Sequence, residues 1–131
     1  MNPEIYSLHI TVPASAIDDR GHVNNLAYLQ WCLEAAEKHW ERNASEDLRK
    51  KYVWYVLRHE IDYKAAAFEG EELQIDTWVA TAEGVRSKRC YNIFRSSDKK
   101  LLVEASTNWC LLSTENLKPT KIPEEIRTLF E

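Results

Sequence analysis

"DDRGHVNNLAYLQWCLEA" (18–35) divides into two unlike halves. Residues 18–25 hold two carboxylates, an arginine, a glycine, a histidine and two asparagines, with Val23 as the one apolar side chain. From Leu26 the character changes. "LAYLQWCLEAAEKHWERN" (26–43) has neither Gly nor Pro, and Leu26, Leu29, Leu33, Ala36 and Trp40 recur at steps of three and four. That spacing predicts a helix with one apolar stripe. Asn24 or Asn25 stands where an N-cap belongs. A polar loop is thus delivered to the N-terminus of the longest helical segment.

Outward from this stretch the hydrophobic period is two. "IYSLHITV" (5–12) alternates Tyr6, Leu8, Ile10 and Val12 with smaller or polar residues and ends at Pro13. "SEDLRKKY" (45–52) reads as a short second helix capped by Ser45. Four further strands are predicted, over 53–64, 72–82, 85–95 and 101–113. In the first of these, Tyr55, Leu57, His59, Ile61 and Tyr63 fall on one face. Tight turns join most of the strands, which favours antiparallel neighbours. The order implies one α+β domain over 1–131, with a curved antiparallel sheet of about five strands wrapping one long central helix. One helix covers one sheet face, so the other face needs tolerant residues or a second subunit. Five tryptophans and six tyrosines in 131 residues favour the subunit, as a homodimer or homotetramer.

Composition narrows the functional classes. Hydrophobic residues at 44 % and charged residues at 29 % are ordinary for a globular chain. A net charge of −4 gives no general attraction to nucleic acid or to anionic membranes. The three cysteines are scattered without a CxxC pair, which suits a reducing compartment, and no apolar run is of membrane-spanning length. A cytoplasmic location is the expectation. Gly-rich phosphate loops, a GxSxG elbow and clustered metal ligands are absent from the sequence, so neither a cofactor nor a metal is expected.

The polar loop carries the chemistry that remains. Asp18 reads either as a turn-forming residue or as a carboxylate held beside the free N–H groups of a helix start, where an oxyanion is stabilised. Gly21 permits the tight geometry and close ligand approach. His22 either orients a carbonyl or water or fixes the loop. Of Asn24 and Asn25, one caps the helix and the other is free to order the loop or water. Glu34 reads as a solvated or interface residue, and His59 as a satisfied core histidine. Arg86, Lys88 and Arg89 follow a turn, and alternation places Arg86 and Lys88 on the face opposite Arg89.

The first half of this stretch, with its helix, resembles the D-x-x-G-H-V-N-N-x-x-Y-L/I-x-W-x-x-E signature of hotdog-fold thioesterases. These are relatives of 4-hydroxybenzoyl-CoA thioesterase and of plant and bacterial acyl-carrier-protein thioesterases. "EIDYKAAAFEGEELQIDTWV" (60–79) and "STNWCLLS" (106–113) extend the likeness along most of the chain. The resemblance implies hydrolysis of acyl-CoA or acyl-carrier-protein thioesters by a homo-oligomer. It places Asp18 as base or nucleophile, His22 as its companion, and the backbone N–H of Asn25 as oxyanion donor. Gly21 and Asn24 then contact substrate, and Arg86 and Lys88 meet the thiol carrier. Two positions depart from the carrier-protein branch: Arg20 stands for its catalytic Asn, and Ala66 for its glutamate. These departures motivate a second reading, a weakly catalytic acyl-thioester binding or scaffold protein. A hydratase or dehydratase of the same fold is a third reading, though its usual His and Asp/Glu motifs are missing.

Overall fold

The computed structural model describes residues 2–131. Its elements are β1 (Tyr6–Thr11), α1 (Asn25–Asn43), α2 (Glu46–Lys51), β2 (Tyr52–Tyr63), β3 (Glu72–Glu83), β4 (Arg86–Arg95), β5 (Leu101–Ser113) and α3 (Glu124–Arg127). The five strands form one antiparallel sheet in the order β1-β3-β4-β5-β2. The sheet is open, with β1 and β2 as its edges.

Register explains which face is covered. Ile75 pairs with Leu8 and Ile93, and Ile93 with Val103. These side chains therefore line one face, where Leu73, Ile75, Ile93 and Val103 are fully buried. Helix α1 supplies the other half of the core through Ala27, Tyr28, Trp31, Cys32, Ala35 and Ala36. Its backbone comes closest to β3 and β1, because the alanines at the contact let helix and sheet approach. A second cluster at the far end joins Leu48, Leu111, Ile122 and Ile126.

The expected picture of a sheet wrapped around a central helix needs correction. Helix α1 spans 19 residues, about 28 Å at ~1.5 Å per residue. It lies against one face of an open sheet and keeps Gln30, Glu34, Lys38 and Glu41 exposed. Glu34 and Lys38 pair on that outer side at 3.9 Å. The apolar stripe is also turned from its expected position: Leu26 is 67 % exposed, while Tyr28, Cys32, Ala35 and His39 are buried. Tyr28 and Trp31 meet edge-on within the core.

A second correction falls on β2. Its pairing with β5 shifts between Val56 and Arg58. This bulge reverses which residues face the core, so Tyr55 and Leu57 are exposed whereas His59 and Ile61 are half-buried. His59 Nδ1 lies 2.9 Å from Thr107 Oγ1, consistent with a satisfied packing role.

Chain ends meet beside α1. The Glu4 N–H donates to the Phe130 carbonyl at 3.0 Å, and Asn43 Nδ2 donates to the Leu129 carbonyl at 2.9 Å.

Candidate active site

The polar loop is a tight reverse turn clamped at its base. Ile17 and Val23 form an isolated antiparallel bridge, and the Asp18 N–H donates to the His22 carbonyl at 2.8 Å. Gly21 takes φ +80°, a left-handed conformation that other residues adopt at a cost, and donates its N–H to the Asp18 carbonyl. Asp18 Oδ1 accepts the N–H groups of Arg20 at 2.9 Å and His22 at 3.2 Å. This Asx turn occupies one carboxylate oxygen and fixes the side chain. Oδ2 has no hydrogen bond to any described residue.

The helix start resolves the two asparagines. Asn24 is the N-cap: its Oδ1 accepts from the Leu26 N–H at 2.8 Å, and its carbonyl accepts from Ala27. Asn25 is the first helical residue, and its N–H has no partner among the described residues. A free donor at the positive end of a 19-residue helix suits negative charge.

Asp18, Arg20, His22, Asn24 and Asn25 line one cavity of about 490 Å³. Its opposite wall is built from Tyr63, Lys64, Ala65 and Ala66 at the end of β2. The two walls are tied together. Val23 N–H donates to the Ala67 carbonyl at 3.0 Å, the Ala67 N–H donates to Tyr28 Oη at 2.9 Å, and Tyr63 Oη donates to the Asn25 carbonyl at 3.2 Å. Tyr63 and Lys64 escaped the sequence reading. Their positions gave one signal, an aromatic and a cation at the end of a strand that precedes a loop.

Other expected site residues are placed differently. The His22 ring is exposed and meets Phe68 edge-on at 5.3 Å between ring centres, and it makes no hydrogen bond to Asp18. Gly21 shapes the turn without lining the cavity. Arg86 and Lys88 are exposed at the start of β4, outside the cavity. Ile93 pairs with Val103, which pairs with Tyr63 at the cavity wall. Lys88 is five residues from that row and Arg86 seven, hence roughly 17 and 23 Å at ~3.3 Å per residue. Ala66 does lie at the cavity, so the position of the missing glutamate faces Asp18's pocket with a methyl group. No cluster of three or more metal-ligating side chains occurs among the described residues.

Comparison with known proteins decides the family. Residues 12–130 match the model of the thioesterase-like superfamily. The chain belongs to this superfamily. Palmitoyl-acyl carrier protein thioesterases of the chloroplast are similar to it, at 27 % identity over 86 residues in Gossypium hirsutum and 26 % in Arabidopsis thaliana. The matched stretch is 66 % of this chain but 21 % of each plant protein. Among solved structures, a 1,4-dihydroxy-2-naphthoyl-CoA thioesterase from Synechocystis superposes with a TM-score of 0.84 at 21 % identity, covering 95 % of this chain and 94 % of the other. A Staphylococcus aureus protein solved in complex with CoA gives 0.86 at 14 % identity, covering 98 % and 83 %. A 12:0-ACP thioesterase from Umbellularia californica gives 0.81 at 14 %, covering 94 % and 48 %. At such identities the structural likeness establishes the hotdog fold of this thioesterase-like chain.

Proposed function

We propose that this member of the thioesterase-like superfamily hydrolyses an acyl thioester, carried by coenzyme A or acyl carrier protein, in the Asp18 cavity. One observation carries the reading: a carboxylate with one oxygen pinned and the other free lines the same cavity as the unpaired N–H of Asn25. Asp18 Oδ2 takes a proton from water as the water oxygen adds to the thioester carbonyl, or adds to that carbonyl itself. The carbonyl oxygen becomes an oxyanion, which the Asn25 N–H and the helix dipole stabilise. Collapse of the tetrahedral intermediate breaks the C–S bond, and the sulfur leaves as a thiolate that takes its proton from Asp18 in the water route or from solvent in the nucleophilic route. By the water route the acid is free at once; by the nucleophilic route water then hydrolyses the Asp18 anhydride. His22 and Tyr63 flank the reacting carbonyl, and Lys64 sits where the carrier's negative charge would enter.

Arg86 and Lys88 belong to this reading as contacts for the thiol carrier. Because they lie far from Asp18 within one protomer, this role requires that they reach a neighbouring protomer's cavity, which ties the proposal to a homo-oligomer. A second reading, a weakly catalytic thioester-binding protein, draws support from Ala66, which brings no second carboxylate to the cavity. Thiol release measured on a panel of acyl-CoA and acyl-carrier-protein thioesters separates the two. Turnover on any member supports hydrolysis; saturable binding without thiol release supports the second reading.

A further inference from the structure

The inward row of β4 contains Ser87, Arg89, Tyr91 and Ile93, all buried. Arg89 is the anomaly. The residue is 6 % exposed, and its guanidinium donates from Nη1 to His39 Nδ1 at 2.9 Å and to Thr77 Oγ1 at 3.2 Å and lies 5.2 Å from the centre of the Phe130 ring. None of these partners is a carboxylate, and no ion pair to Arg89 occurs among the described residues. The nearest acid in the network, Glu4, stands behind His39 and is already engaged by Arg42 and Asn43. Burial pulls the Arg89 pKa down to about 10, so the group is still a cation at neutral pH. A buried cation without an opposing charge is expensive to hold.

Arg89 also lines a cavity of about 390 Å³ between the C-terminal half of α1, the start of β2 and the C-terminal segment. Its size is in the range of small-molecule sites, roughly 300–1,000 Å³. The walls are apolar, with Leu33, Ala36, Trp54, Ile122 and Phe130 prominent. Trp109 lines it too, with its indole N–H beside the Tyr91 hydroxyl. At the rim, Arg49 and Arg127 are exposed and Glu37 is the one acid, so three arginines face a single glutamate. In a chain of net charge −4 this is a local reversal of sign. No lining residue is shared with the Asp18 cavity.

We propose that this cavity is a second ligand site, specific for a monocarboxylate with an apolar body such as a medium-chain fatty acid. The carboxylate supplies the charge that Arg89 lacks, while the tail covers the apolar walls. An alcohol of equal length satisfies the walls but leaves the cation uncompensated. An alkylammonium adds a like charge. The site is independent of the hydrolase reading, although a free acid is the product class of that reaction.

Trp40, Trp54 and Trp109 line the cavity, so the intact chain reports occupancy through its own tryptophan fluorescence. Dodecanoate, dodecanol and dodecyltrimethylammonium are titrated below their aggregation concentrations. Dodecanoate should saturate the signal about tenfold or more tighter than dodecanol, with no saturation by the ammonium. Arg89→Met should remove the preference for the acid. Should that variant fail to fold, Ala82→Phe narrows the cavity and leaves the Arg89 bonds intact, and it should weaken dodecanoate about tenfold. Asp18→Asn should leave dodecanoate affinity within about twofold. The proposal is overturned if alcohol and acid bind equally, or if Asp18→Asn weakens the acid as much as Ala82→Phe does. Absence of thioesterase activity would change none of these readings.

Discussion

Arg89 donates to Nδ1 of His39, and that bond assigns the proton of the buried imidazole to Nε2. Nε2 lies 2.7 Å from Glu4 Oε1, so the neutral ring accepts on one side and donates on the other. Burial lowers the His39 pKa to about 4, against the opposing pull of Glu4. Hydrogen bonds from Asn43, then His39, hold the Glu4 carboxyl at about 2. In the unfolded chain His39 takes up its proton near 6.5, so the unfolded state binds more protons between pH 6.5 and 4. The histidine's contribution is therefore full above pH 6.5 and lost as pH falls to 4; that of Glu4 is full above 4.5 and lost towards 2. Urea midpoints should fall between pH 7.5 and pH 5. His39→Gln keeps an acceptor and a donor but cannot titrate, and should flatten that fall; an unchanged slope would contradict the assignment.

Asp18→Asn retains the acceptor for the Arg20 and His22 N–H groups, so the turn should survive. It removes the charge that a base or nucleophile needs. Turnover in a thiol-release assay should drop about 10²-fold or more, with little change in melting temperature. Activity near that of the unaltered chain would remove Asp18 from the mechanism.

Tyr28 Oη accepts the Ala67 N–H in a buried setting and thereby ties α1 to the loop that forms the far wall of the Asp18 cavity. Tyr28→Phe leaves that N–H without an acceptor, at a cost of about 1–3 kcal/mol. Denaturant unfolding should show this loss. A variant as stable as the parent would mean that solvent reaches the Ala67 amide.

Strand β2 is a 12-residue edge whose free side carries exposed Val53, Tyr55 and Leu57. Long apolar edges invite pairing with another chain. At micromolar concentration, sedimentation should give at least twice the 15.3 kDa chain mass. Replacing Tyr55 and Leu57 together with Glu should shift it to the single-chain mass. A monomer before substitution would refute assembly through this edge.

Local chemistry was legible in the sequence, whereas long-range phase was not. Alternation in β1 and β3 identifies the half-buried Leu8 and Ile10 and the buried Leu73 and Ile75 because neither stretch is interrupted over those residues. In β2 the bulge near Leu57 adds a residue to one strand, and no turn former marks it in "YVLRH" (55–59). The stripe on α1 was misplaced because leucine outranks alanine in a hydrophobic pattern, while close helix–sheet contact prefers alanine. In the candidate site, the Asp18 turn and the helix start are contiguous in sequence and could be read there. Tyr63 and Lys64 arrive from about 40 residues away, through hydrogen bonds that join Val23 and Tyr28 to Ala67. Arg89 looked like one cation among three, and only its inward register sets it apart.

The bond between Glu4 and Phe130 brings the first and last elements to one seam. Joined there by a short glycine-rich bridge, the polypeptide would form a closed ring with no crossing of the sheet. It can be reopened at the exposed turn Ser97–Lys99, between neighbouring antiparallel strands, with both new ends in solvent. Such a circular permutant should return the same near-ultraviolet signature from its buried aromatics, since the Glu4–His39–Arg89 chain of bonds is kept whole while the order of synthesis changes.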